Sequence, residues 1–192
     1  MPKIVDHEAR RIEYAEAAMR IALKGGVESL TVRAVSAEAG CSTGALAHYY
    51  KSKDDLLIAV QRAAARQSLE RIDACFSRFE GPQLLEEVIL RALPLDEERR
   101  GEWRLWLAYF ARAAQITELA RVQRHTYESW YARLRNAYSA ANTDATATAV
   151  RQAVDATMTL VQGLGVLGMY GPAEFTPRRQ RALVRAHLSR WL

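Results

Sequence analysis

Two cysteines, Cys41 and Cys75, are too few for a disulfide framework, and a reducing cytoplasm is the expected setting. The four histidines, at 7, 48, 125 and 187, form no C-x-x-C, H-x-x-x-H or E-x-x-H spacing, so no metal site is expected. No G-x-S-x-G or phosphate-cradling loop is present, and no pair of carboxylates stands out for acid–base work, which argues against an enzyme and against a bound cofactor. The longest apolar run, Met158 to Tyr170, is interrupted by Gln162 and is too short to span a bilayer. The N-terminus is polar and charged, unlike a signal peptide. No stretch alternates like a strand, and no internal repeat is visible.

What remains is a 192-residue chain with 49% apolar and 26% charged residues, the composition of a soluble globular protein with a real core. The net charge of +5 is compatible with a polyanionic partner. Through residue 53, eight Lys/Arg face six Asp/Glu, a surplus of two. Binding to a polyanion would therefore rest on placement rather than on bulk charge.

Residues 31 to 57, TVRAVSAEAGCSTGALAHYYKSKDDLL, carry the most specific pattern. Thr31 precedes Val32, Val35 and Ala39 at helical spacing and reads as an N-cap. Gly40 suits a left-handed backbone at the helix end. Ser42 caps a second, very short helix from Thr43 to about His48. Its one large apolar residue, Leu46, should anchor it, leaving Thr43, Ala45 and His48 free. Ser52-Lys53-Asp54-Asp55 then opens a longer helix like a capping box, with Lys53 near a helix N-terminus where a phosphate can be held. Two helices and a tight turn of this kind form a helix-turn-helix, the device that lays a short helix in the major groove. Tyr49 and Tyr50 offer ring area inward and hydroxyls outward.

This order of residues resembles the DNA-binding domain of TetR-family transcriptional regulators, with residues 6 to 24 supplying the leading helix of that domain. Many members carry Tyr at the position of Ala47 and His at that of Tyr49. The ALAHYY form found here is similar to the choline-responsive BetI-type branch, as is the stretch LPLDEERRGEWRLWLAYFARA. The resemblance implies phosphate contacts from Thr31, Arg33, Ser42, Lys51 and Lys53, and from Tyr49 through its hydroxyl. It places Thr43, Gly44, Ala45 and His48 at base edges.

Beyond the motif, helices are predicted from Lys53 to near Phe79, at 83–93, 97–114, 117–138 and about 146–169, and from Thr176-Pro177 onward. Gly81-Pro82 stops the first of them, and residues 139 to 145 form a loop. Gly163-Leu-Gly165-Val-Leu-Gly168 satisfies G-x-G-x-x-G, but a helical pattern precedes it and no acid follows between Arg185 and Leu192, so a nucleotide site is rejected. Small residues there let another helix approach. Met158, Gly165 and Gly168, with Val184, Leu188 and Trp191 of the last helix, are read as a four-helix dimer interface, or alternatively as packing within one subunit.

Trp103, Trp106, Tyr109, Phe110, Tyr127, Trp130 and Gln162 gather the aromatic and polar side chains of this half. An aromatic stripe is most often core, but the resemblance places an effector pocket in this part of the fold. A nearby carboxylate such as Glu102 would suit a quaternary ammonium.

The expectation is an all-α protein with two parts. Residues 1–52 form a three-helix helix-turn-helix domain, and residues 53–192 a larger helical domain for ligand binding and dimerisation. It would act as a homodimeric, cytoplasmic regulator of operator DNA, most simply a repressor released by a small-molecule effector. An activator of the same fold, or a helical interaction module without DNA binding, are the alternatives.

Overall fold

The computed structural model describes residues 6–192. Among them the regular structure is helical: α1 (His7–Gly25), α2 (Val32–Glu38), α3 (Thr43–Ala47), α4 (Lys53–Phe76), α5 (Gly81–Arg91), α6 (Glu97–Ala113), α7 (Thr117–Ala141), α8 (Ala147–Tyr170) and α9 (Pro177–Leu188). A 3-10 turn, Val27–Ser29, follows α1. The all-α class expected from the sequence is the fold. Among the described residues, no helix is long and apolar enough to cross a membrane.

Local chemistry sets most of the helix starts. Asp6, Thr31, Ser42, Thr146 and Thr176 each accept a backbone N–H of the first turn that follows. Each such cap contributes about 1 kcal/mol. At α4 the capping box is reciprocal: Asp55 N–H donates to Ser52 Oγ at 3.0 Å, and Ser52 N–H donates to Asp55 Oδ2 at 3.1 Å. The α2–α3 turn is a Schellman motif around Gly40, whose φ is 63°. Cys41 N–H reaches back to Ser36 O at 2.9 Å, and Gly40 N–H to Ala37 O at 3.3 Å.

Some boundaries differ from the sequence expectation: α7 runs to Ala141, three residues into the stretch read as a loop. α4 ends at Phe76, and Gly81 and Pro82, read as a stop, are the first residues of α5. Proline lacks only an N–H that the first turn leaves unused, so it fits a helix start as well as it punctuates an end.

The helices fall into two compact units. The first combines residues up to 66 with 104–122. Its core joins Ala17, Ala18, Leu30, Val35, Leu46, Leu56 and Leu57, and Leu105 and Trp106 of α6 pack on it. The second combines 67–103 with 123–192. Ile72, Leu85, Ile89, Leu134 and Val184 are among its fully buried side chains, and α9 lies on α5 and α8. Residue 53, where the sequence sets the functional division, is the first residue of α4.

Candidate nucleic-acid interface

α3 has five residues, too few to be stable alone. Leu46 is wholly buried among α1 and α2, and that burial contributes about 1.5–3 kcal/mol to holding the helix. With Leu46 as anchor, Thr43, Gly44 and His48 are exposed and Ala45 half-buried. The outer face is thus small and polar, and open to a groove.

The flanking groups are donors. Thr31 and Ser42 are exposed, and each uses an oxygen lone pair to cap its helix, accepting from Ala34 N–H and Ala45 N–H at 3.1 Å. Their hydroxyl protons remain available to a phosphate. Arg33 and Lys51 are exposed, and neither forms an ion pair among the described residues. Lys53 is differently placed, since its ammonium lies 2.6 Å from Glu28 Oε2. That exposed pair holds the Glu28 carboxyl below its ordinary range, the hydrogen bond from Lys53 being the largest cause. A phosphate at Lys53 would have to displace Glu28, a small cost for a solvent-exposed pair.

The two tyrosines take opposite roles. Tyr50 is buried, and its hydroxyl donates inward to Arg11 O at 2.8 Å, so it presents no hydroxyl to the surface as the sequence had suggested. Burial pushes its phenol pKa up. Tyr49 is half-buried, and it stands edge-on to Tyr14 with ring centres 5.2 Å apart. A hydrogen bond of 2.9 Å joins Tyr49 Oη to His7 Nδ1. Beside them runs a cleft of about 720 Å³ lined by His7, Arg10, Cys41, Ala45, His48 and Tyr49. His7 and Arg10 were missed in the sequence because 42 positions separate His7 from Tyr49, beyond any local periodicity.

The aromatic residues expected around an effector divide between the units. In the first, Trp106 and Phe110 stack at 6.2 Å, and Tyr109 donates to Leu119 O at 2.8 Å, its phenol pKa raised by burial. In the second, Trp103 and Trp130 are buried while Tyr127 and Gln162 are half-buried. Trp103 Nε1 donates to Ala92 O at 2.8 Å. Glu102 is held by both Nη atoms of Arg71, at 2.7 and 2.5 Å. Its carboxylate is therefore already paired with a cation of this chain. Among the described residues, no group of His, Cys, Asp and Glu could hold a metal ion.

The residues expected at a subunit interface are mostly buried. Met158, Gly165, Gly168, Val184 and Leu188 are all buried within a single chain. The Trp103 ring fills the space beside Gly165, and Gln180 and Pro94 fill that beside Gly168. The neighbours of both glycines thus come from the same chain. Trp191 is half-buried, 6.4 Å from the His187 ring. The large apolar side chains that α8 leaves exposed are Leu167 and Tyr170, at 43% and 78%.

Comparison with known proteins bears on this arrangement. Residues 15–60 match the tetR family of bacterial regulatory proteins. Residues 82–192 match the C-terminal region of BetI-type transcriptional repressors. The HTH-type transcriptional regulator PksA of Bacillus subtilis is 35% identical over 114 residues, a match spanning 59% of this chain and 56% of PksA. The HTH-type transcriptional regulator BetI of Burkholderia thailandensis is 26% identical over 98% of this chain and 96% of its own length. In fold, a transcriptional regulator from Saccharomonospora viridis crystallised with choline superposes with a TM-score of 0.80 at 19% identity, over 95% of this chain and 96% of that one.

Proposed function

Because this chain belongs to the TetR family of bacterial regulators and carries a BetI-type C-terminal region, we propose that it is a ligand-responsive transcriptional regulator that represses from an operator as a homodimer. The observation that carries this reading is α3, anchored by Leu46 alone and flanked by uncommitted donors. Thr43, Gly44, Ala45 and His48 would meet base edges, with Ala45 limited to apolar contact such as a thymine methyl. Thr31, Arg33, Ser42, Lys51, Lys53 and Tyr49 would hold phosphates. One five-residue helix contacts too few bases to be selective, so a dimer would read two half-sites one helical turn apart or a multiple of it. The exposed sides of α8 and α9, with Leu167 and Tyr170, would supply the subunit contact in place of the buried stripe.

Residues 53–192 would bind a small-molecule effector in the cytoplasm. An effector favouring a dimer with wrongly spaced reading helices would empty the operator by shifting populations. Arg112 of α6 offers one coupling contact, donating to Asp54 in the first turn of α4 at 2.8 Å. The Saccharomonospora neighbour binds choline. Here Glu102 already belongs to Arg71, so the effector would not be a quaternary ammonium held by that carboxylate.

The test is fluorescence anisotropy with the duplex upstream of the protein's own gene against a scrambled duplex of equal length. Preference by about 10³-fold or more is expected of a specific regulator. Equal affinity for the upstream, scrambled and all genomic fragments would leave the motif as scaffold.

A further inference from the structure

Tyr49 and His7 form a pair that the regulator reading does not use. They are joined across 42 residues by the 2.9 Å hydrogen bond, with ring centres 5.9 Å apart. The edge-on contact with buried Tyr14 fixes the plane of the phenol. We propose that His7 is a positioning residue for operator binding, which sets the direction of the Tyr49 hydroxyl proton. The proposal rests on the reading of Tyr49 as a phosphate contact.

Phosphate oxygens only accept hydrogen bonds, so Tyr49 serves a phosphate only if its O–H points outward. When His7 Nδ1 carries no proton, it is the acceptor of the pair, and the phenol donates inward. Tyr49 then shows the DNA only lone pairs, which repel a phosphate. When Nδ1 carries a proton, His7 donates to Tyr49 Oη and the phenol O–H is released. Operator binding therefore selects the form of His7 protonated on Nδ1, whether the neutral tautomer or the imidazolium. A charge-assisted bond from Tyr49 to the phosphate stabilises that form. His7 is also well placed to vary: it is exposed, it is the first residue of α1, and the Asp6 cap bonds Glu8 and Ala9 instead.

The test uses the full-length protein and its operator duplex. In protein labelled with ¹⁵N-histidine, the side-chain nitrogen correlations of His7 should show Nδ1 protonated in the complex. His7→Ala should weaken operator binding by up to about tenfold, because the Tyr49 hydroxyl keeps its proton but loses the partner that orients it outward. Tyr49→Phe should weaken it by a similar factor, and the double variant by no more than either single change. His7→Asn, whose amide can donate from near the Nδ1 position, should restore most of the affinity. Wild-type binding by His7→Ala alongside weak binding by Tyr49→Phe would overturn the proposal while sparing the Tyr49 contact, as would a bare Nδ1 in the complex. Wild-type binding by Tyr49→Phe would remove the Tyr49 contact itself, and the proposal with it.

Discussion

The indole of Trp103 occupies the space that a side chain at Gly165 would need: a Cβ there would lie 1.9 Å from Cη2 of the ring. The ring cannot easily give way, because Nε1 is bonded to Ala92 O. Gly165→Ala should therefore destabilise the protein by about 1–3 kcal/mol or more. Gly163, two residues earlier on α8, has nothing within 4 Å of the same position. Gly163→Ala should stabilise by about 0.5–1 kcal/mol through helix propensity. Thermal unfolding followed by circular dichroism would show opposite shifts, about 2–4 °C for each kcal/mol.

A buried polar chain makes stability depend on pH. Tyr138 Oη lies 2.7 Å from Thr157 Oγ1, which lies 2.8 Å from His187 Nε2. With Nε2 unprotonated, Thr157 can donate to His187 and Tyr138 to Thr157. Protonating Nε2 reverses the chain and leaves the buried Tyr138 proton without an acceptor. Burial first, and Arg190 second, hold His187 below its ordinary 6.5. The unfolded chain then binds more protons, so this stability is full above pH 6.5 and falls as pH drops through the folded-state value. Glu28, Glu38 and Glu118, lowered from 4.5 chiefly by hydrogen bonds from Lys53, Arg20 and Arg121, lose their contribution in a separate, more acid window. Urea titrations should show His187→Gln flattening the upper window only.

Much of this was legible in the sequence, and the failures share a cause. The caps at Thr31, Ser42 and Thr176 and the Gly40 turn were readable because each depends on residues within a few positions. Leu46 was identifiable as the anchor because α3 holds no other large apolar side chain. The stripe of Met158, Gly165, Val184 and Leu188 was read correctly as a buried face, but periodicity cannot say whether the same chain or a second one covers it. Trp103 answers that for Gly165. The inward turn of Tyr50 onto Arg11 and the meeting of Tyr49 with His7 are likewise long-range facts.

Removing one partner of the Arg71–Glu102 pair leaves a largely buried charge unpaired. Glu102→Ala should cost about 3 kcal/mol, the low end for such pairs because Arg71 is partly exposed. Replacing both with apolar residues of similar size should recover most of that loss in denaturant titrations. Choline added to the operator complex should leave its anisotropy unchanged; release would show that groups other than Glu102 hold the cation.

If Lys53 holds a phosphate as proposed, Glu28 would compete with DNA for it. Glu28→Gln should free the ammonium and remove a negative charge near the phosphates. Operator binding should then tighten and its salt dependence steepen. Unchanged affinity would place Lys53 outside the contact.

The most direct measurement is the operator dissociation constant between about 50 and 200 mM salt, for the wild type and Arg33→Ala. If α2 and α3 lie on DNA as a symmetric dimer, wild-type affinity should fall on the order of 10³-fold across that range. Arg33→Ala should weaken binding and lower the slope of log affinity against log salt by about two, one phosphate contact from each subunit. A slope that Arg33→Ala leaves unchanged, with affinity to match, would contradict the placement of this motif on DNA.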